Sequence, residues 1–179
     1  MTNNILNKPY TDKDYADFAV YANDTQRRIE DFNGDKYALL ATEILVDGII
    51  QDISQTPEYL DEQLAKAKAD KLQENTTKRD ARLIAGVTYK NILFDSDQDQ
   101  KINLSAIASN MSDTDTITWF GKDGVSSLNC TKTDIEAIGK LIIALTQDVW
   151  SNLNPAYINK INACKTIEEL NEIEIDYAV

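Results

Sequence analysis

The feature that most constrains the fold is the stretch of residues 116–150, because it holds a strand–turn–strand–helix pattern with almost no irregular residue. Ile117 and Trp119 alternate with polar residues, which is typical of a half-buried strand. An Asp-Gly pair at residues 123–124 favours a tight reversal. After Thr131, which can cap a helix with Asp134 as its third residue, apolar residues recur at spacings of three and four. These residues are Ile135, Ile138, Ile142, Leu145 and Val149. The stretch predicts a β-hairpin followed by a helix with one buried seam.

The first 56 residues predict a small α+β module. A cap at Thr11 starts a helix to about residue 23, with Tyr15, Phe18, Ala19 and Ala22 as its apolar stripe. Asn-Gly at residues 33–34 separates two strand patterns, and Asp-Gly at residues 47–48 separates two more. We therefore expect one helix and an antiparallel sheet of three or four strands.

A connecting helix is predicted over residues 57–80. Pro57 suits the first helical position, and Leu60, Leu64 and Ala67 follow the helical period. From Asp70 to Asp80 the sequence is almost wholly polar, which is typical of either an exposed helical linker or a frayed junction. If it continued to about residue 83, such a helix would be about 40 Å long and would hold the two ends of the molecule apart.

Residues 81–179 predict a C-terminal α+β domain in the order ββα, ββ, ααα. A short hairpin follows Gly86, and Ser96 with Asp99 has the spacing of a capping box. Asn154-Pro155 and then Thr166 each start a further helix. The predicted fold class is α+β throughout, in two small lobes joined by the helix from Pro57.

Composition and charge exclude several classes of function. The net charge of −12 is spread evenly, since residues 1–80 carry 16 acids and 10 bases and residues 81–179 carry 14 and 8. Such a surface repels phosphate, so neither nucleic acid nor an anionic membrane is an expected partner. The N-terminal residues lack the basic start and apolar core of a signal peptide, and the longest apolar run, residues 141–145, is too short for a bilayer. We expect a soluble protein whose Cys130 and Cys164 are reduced structural thiols.

No arrangement of residues predicts catalysis, a cofactor or a metal. The chain has no histidine, which removes the commonest general base and metal ligand. Asp95, Asp97 and Asp99 imitate the start of a calcium loop, but the sixth and twelfth positions hold Gln100 and Ala106 instead of Gly and Glu, so a capped turn is the better interpretation. Acidic residues also cluster near the end of the chain, and we interpret them as a solvated face. They are Glu168, Glu169, Glu172, Glu174 and Asp176. Trp119 and Trp150 lie in apolar periodic segments and are expected in the core.

Several stretches resemble bacteriophage tail-associated proteins. The run DFAVYAN at residues 17–23, with RIE at 28–30 and YAL at 37–39, is similar to a module of tail-fibre proteins, and DISQTPEYL at 52–60 to the sequence that ends it. The region from Arg79 to Tyr177 resembles a C-terminal domain of unknown function common in phage tail and tail-fibre proteins. The runs that carry this resemblance are TYKNILFD at 88–95, TWFG at 118–121 and EIEIDY at 172–177.

The resemblance implies a tail fibre or baseplate accessory protein, or a tail-fibre assembly factor, that binds other phage tail proteins. Its expected location is the virion tail, and the host cytoplasm during assembly. The competing hypothesis is an acidic anti-defence protein that inhibits a host nucleic-acid-binding enzyme. The observation behind this hypothesis is the net charge of −12. The stripe of Leu60, Leu64 and Ala67 could mediate self-association into a dimer or trimer, or it could pack on the chain's own sheet in a monomer.

Overall fold

The computed structural model describes residues 4–177. The fold combines helices with small antiparallel sheets, which confirms the predicted α+β class. The chain divides into two compact units, Met1–Gln63 and Leu64–Val179.

The N-terminal unit contains one helix and five short strands among its described residues. These elements are β1 (Ile5–Leu6), α1 (Asp12–Asp24), β2 (Arg28–Phe32), β3 (Asp35–Leu39), β4 (Glu43–Val46) and β5 (Ile49–Asp52). The strands form a three-stranded antiparallel sheet in the order β1-β3-β2 and a separate β4-β5 hairpin, where the sequence predicted one sheet. Both predicted reversals are present, and Asn33 and Gly34 have φ values of 53° and 88°, as a tight hairpin turn requires. Strand β1 is only two residues long, so it leaves no alternating pattern from which to predict it.

The small core of this unit lies between α1 and the sheet. Thr11 and Asp14 form a reciprocal capping box at the start of α1. Phe18 and Ala22 are buried against Ala38 of β3, as the predicted stripe requires. The prediction for Tyr15 is wrong, because its side chain is exposed and lies against the ring of Tyr10 at the surface.

Helix α2 (Pro57–Ile84) begins in the N-terminal unit and continues into the C-terminal one. It runs four residues beyond the predicted connecting helix of residues 57–80. From Leu64 onward it is part of the C-terminal unit, where Ala67, Leu72 and Leu83 pack against the core. The polar stretch of residues 70–80 is therefore packed along one face and is not an exposed linker.

The C-terminal unit follows the predicted order of hairpin, helix, hairpin and helices. Its remaining elements are β6 (Val87–Tyr89), β7 (Ile92–Phe94), α3 (Gln98–Asn110), β8 (Thr116–Phe120), β9 (Ser127–Thr131), α4 (Lys132–Gln147), a π-helical segment (Asp148–Leu153), α5 (Asn154–Ala163) and α6 (Ile167–Asn171). Strands β6-β7 and β8-β9 form two separate antiparallel hairpins.

Helix α4 carries the seam that the sequence predicted. Thr131 caps it, and the five seam residues from Ile135 to Val149 are all buried, the last of them in the π-helical segment that follows. They pack with Phe94, Leu104 and Ile161 in the largest apolar core of the chain. Burying five aliphatic side chains stabilises the unit by about 1.5–3 kcal/mol each before the entropy cost of folding.

Two predicted helix starts differ from the structure. Asp97, and not Ser96, caps α3, since its carboxylate accepts the backbone N–H of Gln100. The hydroxyl of Ser96 is buried, where it accepts the N–H of Gly86 and donates to the carbonyl of Leu83.

At Asn154-Pro155 the helix does not restart. It passes from α4 through the π-helical segment into α5, and the N–H of Asn154 bonds the carbonyl of Val149, five residues back. Proline lacks an N–H, and in a regular α-helix its ring would press on the carbonyl four residues earlier, so a widened turn accommodates it.

Candidate functional site

The predicted self-association residues do not share one environment. Leu60 lies in the N-terminal unit and is 47% exposed. Leu64 is partly buried, and Ala67 packs against the core of the C-terminal unit. Of the stripe, Leu60 thus presents the largest free apolar surface.

The acidic residues near Asp95 serve local structure. Asp97 caps α3, Asp99 lies in the first turn of that helix, and Asp95 forms an ion pair with Lys122 at 3.1 Å. Within residues 4–177, no group of three or more His, Cys, Asp or Glu side chains is placed to hold a metal ion.

The acidic residues of the C-terminal cluster are all exposed, as predicted. Glu169 accepts the N–H of Lys165 at 2.6 Å and so closes the turn before α6. Residues 172–177, which follow α6, have no regular secondary structure, yet Ile175 and Tyr177 are buried. This final segment, residues 172–177, alternates exposed acids with buried apolar residues.

A buried polar centre holds the final segment in place. Tyr177 donates its hydroxyl to Asn75 Oδ1 at 2.8 Å, and Asn75 Nδ2 donates to Asn154 Oδ1 at 2.9 Å. Asn75 is 1% exposed and Asn154 6%, so each bond replaces water that the groups would otherwise have bound. Burial raises the pKa of the Tyr177 phenol, which keeps it protonated as the donor.

Two further contacts fix the backbone of the final segment. Lys78 Nζ donates to the carbonyl of Ile175 at 2.9 Å. The hydroxyl of Tyr157 donates to the carbonyl of Asp176 at 2.7 Å and accepts the N–H of the same residue at 3.0 Å. Helices α2 and α5 therefore hold the segment from both sides.

A second network surrounds Asp134 at the start of α4. Its carboxylate accepts from Lys90 Nζ at 2.6 Å, from the N–H of Thr131 at 3.0 Å and from the hydroxyl of Tyr89 at 2.8 Å. These bonds, led by the one from Lys90, hold the pKa of Asp134 far below its ordinary value. The fully ionised carboxylate ties the β6-β7 turn to the N-terminus of α4, which gives it a structural role.

The two tryptophans differ from each other. Trp119 packs against the core, as predicted, whereas the prediction for Trp150 is wrong because its side chain is 47% exposed. Trp150 lies in the π-helical segment, and the guanidinium of Arg79 stacks on its ring at 4.4 Å from the centroid. Cys130 is buried and Cys164 partly buried, and both are free thiols, as predicted. Burial raises the pKa of the Cys130 thiol.

Two open apolar grooves flank the buried seam of α4. The first, which we call the α3–α4 groove, has a volume of about 280 Å³. Its lining includes Leu104, Ala108, Ile135, Gly139, Ile142 and Ile143, with Lys101, Glu136 and Lys140 at its rim.

The second groove, which we call the α2–α4 groove, is larger, at about 740 Å³, and is bordered by Arg82, Gly86, Val87, Leu93, Leu141 and Asp148. The large apolar side chains that line the grooves and are exposed are Leu93 (44%), Leu141 (40%) and Ile143 (55%).

Of the polar groups described above, Asp134 and the asparagine pair are engaged in bonds that hold the fold together. Sequence reasoning missed Asn75 because it lies in a polar run that has the composition of a solvated helix. It also missed both grooves, because they are formed by elements distant in sequence.

Within the part of the chain that the structure describes, none of the helices combines the length and apolarity needed to cross a bilayer.

Comparison with known proteins assigns the C-terminal unit to a family. Residues 66–179 match the family described as Domain of unknown function (DUF4376). No curated protein and no solved structure matches the chain. The family match covers well over half of the 179 residues and contains the asparagine pair, Tyr177 and both grooves. The chain belongs to the DUF4376 family.

Proposed function

We propose that this protein is a phage tail-associated adaptor or tail-fibre assembly factor that acts by binding other proteins. The phage assignment rests on the resemblance of residues 17–60 and 79–177 to tail-associated proteins. On this proposal it acts in the host cytoplasm during assembly or at the virion tail.

The observation that best supports a binding role is the exposed apolar surface of the C-terminal unit. Leu93, Leu141 and Ile143 leave between 40% and 55% of their surface exposed beside two open grooves. Apolar side chains grouped beside grooves are typical of protein–protein contact sites, whereas scattered ones need no explanation.

Mass spectrometry of purified particles tests the location. A tail component is expected at a fixed number of copies per particle, and an assembly factor is expected in infected cells bound to a tail protein but not in particles. Absence from particles together with absence from every complex with tail proteins would refute the proposal and favour the acidic anti-defence protein.

A salt series separates these hypotheses further. Binding of a host enzyme through the −12 surface would weaken steeply between 50 and 500 mM salt, on the order of the screening expected for exposed charges. Binding through the apolar surface is expected to persist over the same range.

A further inference from the structure

The α3–α4 groove lies over the buried side chains of two helices and has one largely exposed apolar residue beside it. Leu104, Ile135 and Ile142 are at most 3% exposed and form its base, while Ile143 stands beside it with 55% of its surface free. At about 280 Å³ the groove is smaller than most sites for drug-sized ligands, and it has room for one or two large side chains.

Gly139 opens this groove at the middle of α4. Its φ is not positive, and a Cβ at this position would meet no atom within 4 Å, so neither the backbone nor the packing of the described chain requires glycine. Glycine in a helix interior is less favourable than alanine. The missing side chain does, however, let an external group approach the helix closely.

The rim of the groove carries more positive than negative charge. Lys101 and Lys140 both line the groove, and among residues 4–177 neither forms an ion pair. Glu136 is the one acid at the rim, so the rim has a net charge of +1 in a protein of −12.

We propose that the α3–α4 groove binds a segment of a partner protein in which a large apolar side chain is flanked by acidic residues. The apolar side chain enters over Gly139 and contacts Ala108 and Ile143, and the flanking carboxylates face Lys101 and Lys140. A single anchor side chain in an apolar pocket with a charged rim is how many protein interfaces concentrate their affinity. This inference rests on the binding mode proposed above and does not depend on the protein's location in the virion.

The test uses an array of eight-residue peptides and the full-length protein. One series places Leu, Phe or Trp between glutamates, a second places the same residues between lysines, and a third places Ser between glutamates. We expect binding to members of the first series, and at least about tenfold weaker binding to their counterparts in the other two.

Variants then locate the site. Gly139→Leu, which fills the groove with a good helix former, is expected to weaken binding of the best peptide at least about tenfold. Lys140→Glu is expected to weaken it similarly at low salt, whereas the matched control Lys165→Glu, outside the groove, leaves it unchanged. Circular dichroism and thermal unfolding establish that each variant is folded.

The proposal is overturned if the array shows no preference for the acidic apolar series. It is also overturned if a folded Gly139→Leu variant binds the best peptide as well as wild type does. A protein that binds dodecyl sulfate or a second copy of the chain at the groove, but no peptide, would overturn it too. Peptide binding by a protein that is absent from particles and from tail complexes would keep this inference and refute only the proposed function.

Discussion

At the scale of single residues, the buried face of helix α2 is unusual because it is polar at its centre. Asn75 is 1% exposed and lies about two helical turns from each of two residues that pack on the core, Ala67 and Leu83. It is tolerated there because both ends of its amide have partners, the hydroxyl of Tyr177 and the amide oxygen of Asn154. The bond to Tyr177 links residues 102 positions apart, so it closes the C-terminal unit around its last described residue.

We expect Asn75→Ala to destabilise the C-terminal unit by about 1–3 kcal/mol, because two buried groups lose their partner. Urea unfolding followed by tryptophan fluorescence measures this selectively, since both tryptophans of the chain lie in that unit. Asn103→Ala, on the exposed side of α3, is the matched control and should change stability by less than about 0.5 kcal/mol. An equal effect of the two substitutions would contradict the role given to Asn75.

Because the pKa of Asp134 is lowered in the folded protein, we expect the free energy of unfolding to fall at acid pH. Its folded pKa lies below its ordinary value of 3.8, so the unfolded chain binds the proton more readily. The resulting stabilisation is fully present above about pH 5 and is lost as the pH falls through 3.8 toward the folded pKa. We expect Asp134→Asn to unfold at lower urea than wild type at pH 6 and to lose less stability between pH 5 and 2.

The partner of Asp134 provides the check on this assignment. Lys90 Nζ makes the leading contact with the carboxylate, so Lys90→Met should bring the pKa of Asp134 back toward 3.8 and flatten the same part of the pH curve. If Lys90→Met retained the wild-type pH dependence, the carboxylate would owe its ionisation to the backbone N–H and hydroxyl donors instead.

At the scale of elements, helix α4 has a different neighbour on each side of its seam. Thr131 and Asp134 fix its start, and the seam residues face the core. Leu141 borders the α2–α4 groove, and Gly139 borders the α3–α4 groove. One regular helix therefore serves as the support of the core and as a wall of both open surfaces.

The two glycines around this helix should respond to alanine with opposite signs. Gly139→Ala is expected to stabilise the C-terminal unit by about 0.5–1 kcal/mol, because the methyl group meets no atom and the helix gains propensity. Gly121→Ala is expected to destabilise it, because its Cβ would lie 2.8 Å from Ile92 Cγ2 and 3.0 Å from the carbonyl of Leu93. Thermal unfolding of the two variants beside wild type measures both, and a destabilised Gly139→Ala would show that the α3–α4 groove does not have the space described.

At the scale of the whole molecule, the chain consists of two compact units with separate cores. The N-terminal core consists of Phe18, Ala22 and Ala38, with partly buried neighbours, whereas the C-terminal one is several times larger. A core as small as the N-terminal one is marginal without further support. The division falls within α2, after Gln63, so the helix carries both an exposed Leu60 and a packed Ala67.

Self-association through the stripe of Leu60, Leu64 and Ala67 is a prediction about the whole molecule. If the protein is an oligomer, Leu60→Asp should shift it toward monomer, because the side chain is 47% exposed and aspartate cannot be buried there without a partner. Light scattering across micromolar concentrations measures the mass, with Val125→Asp as a matched control, since Val125 is 82% exposed in the β8-β9 turn. A wild type that remains monomeric throughout would remove the dimer and the trimer and leave a monomeric adaptor.

The sequence by itself determined the features that depend on neighbouring residues. The two Asn-Gly and Asp-Gly hairpins of the N-terminal unit, the capping boxes at Thr11 and Thr131 and the seam of α4 were all predictable. In each case the physical cause lies within one turn, one hairpin or one helical face. The same is true of the α+β class and of the order of elements after residue 86.

Only the tertiary structure decided which polar residues are buried and where apolar surface stays open. Asn75 meets Asn154 across 79 residues and Tyr177 across 102, and no periodic pattern marks such a partner. Trp150 lies in an apolar periodic segment, which is typical of a core residue, but its ring is at the surface, where Arg79 stacks on it. The α3–α4 groove exists because two helices pack beside a glycine. Burial of a polar group and exposure of an apolar one are both settled by long-range contacts, whose free energies outweigh the local preferences that a sequence pattern records.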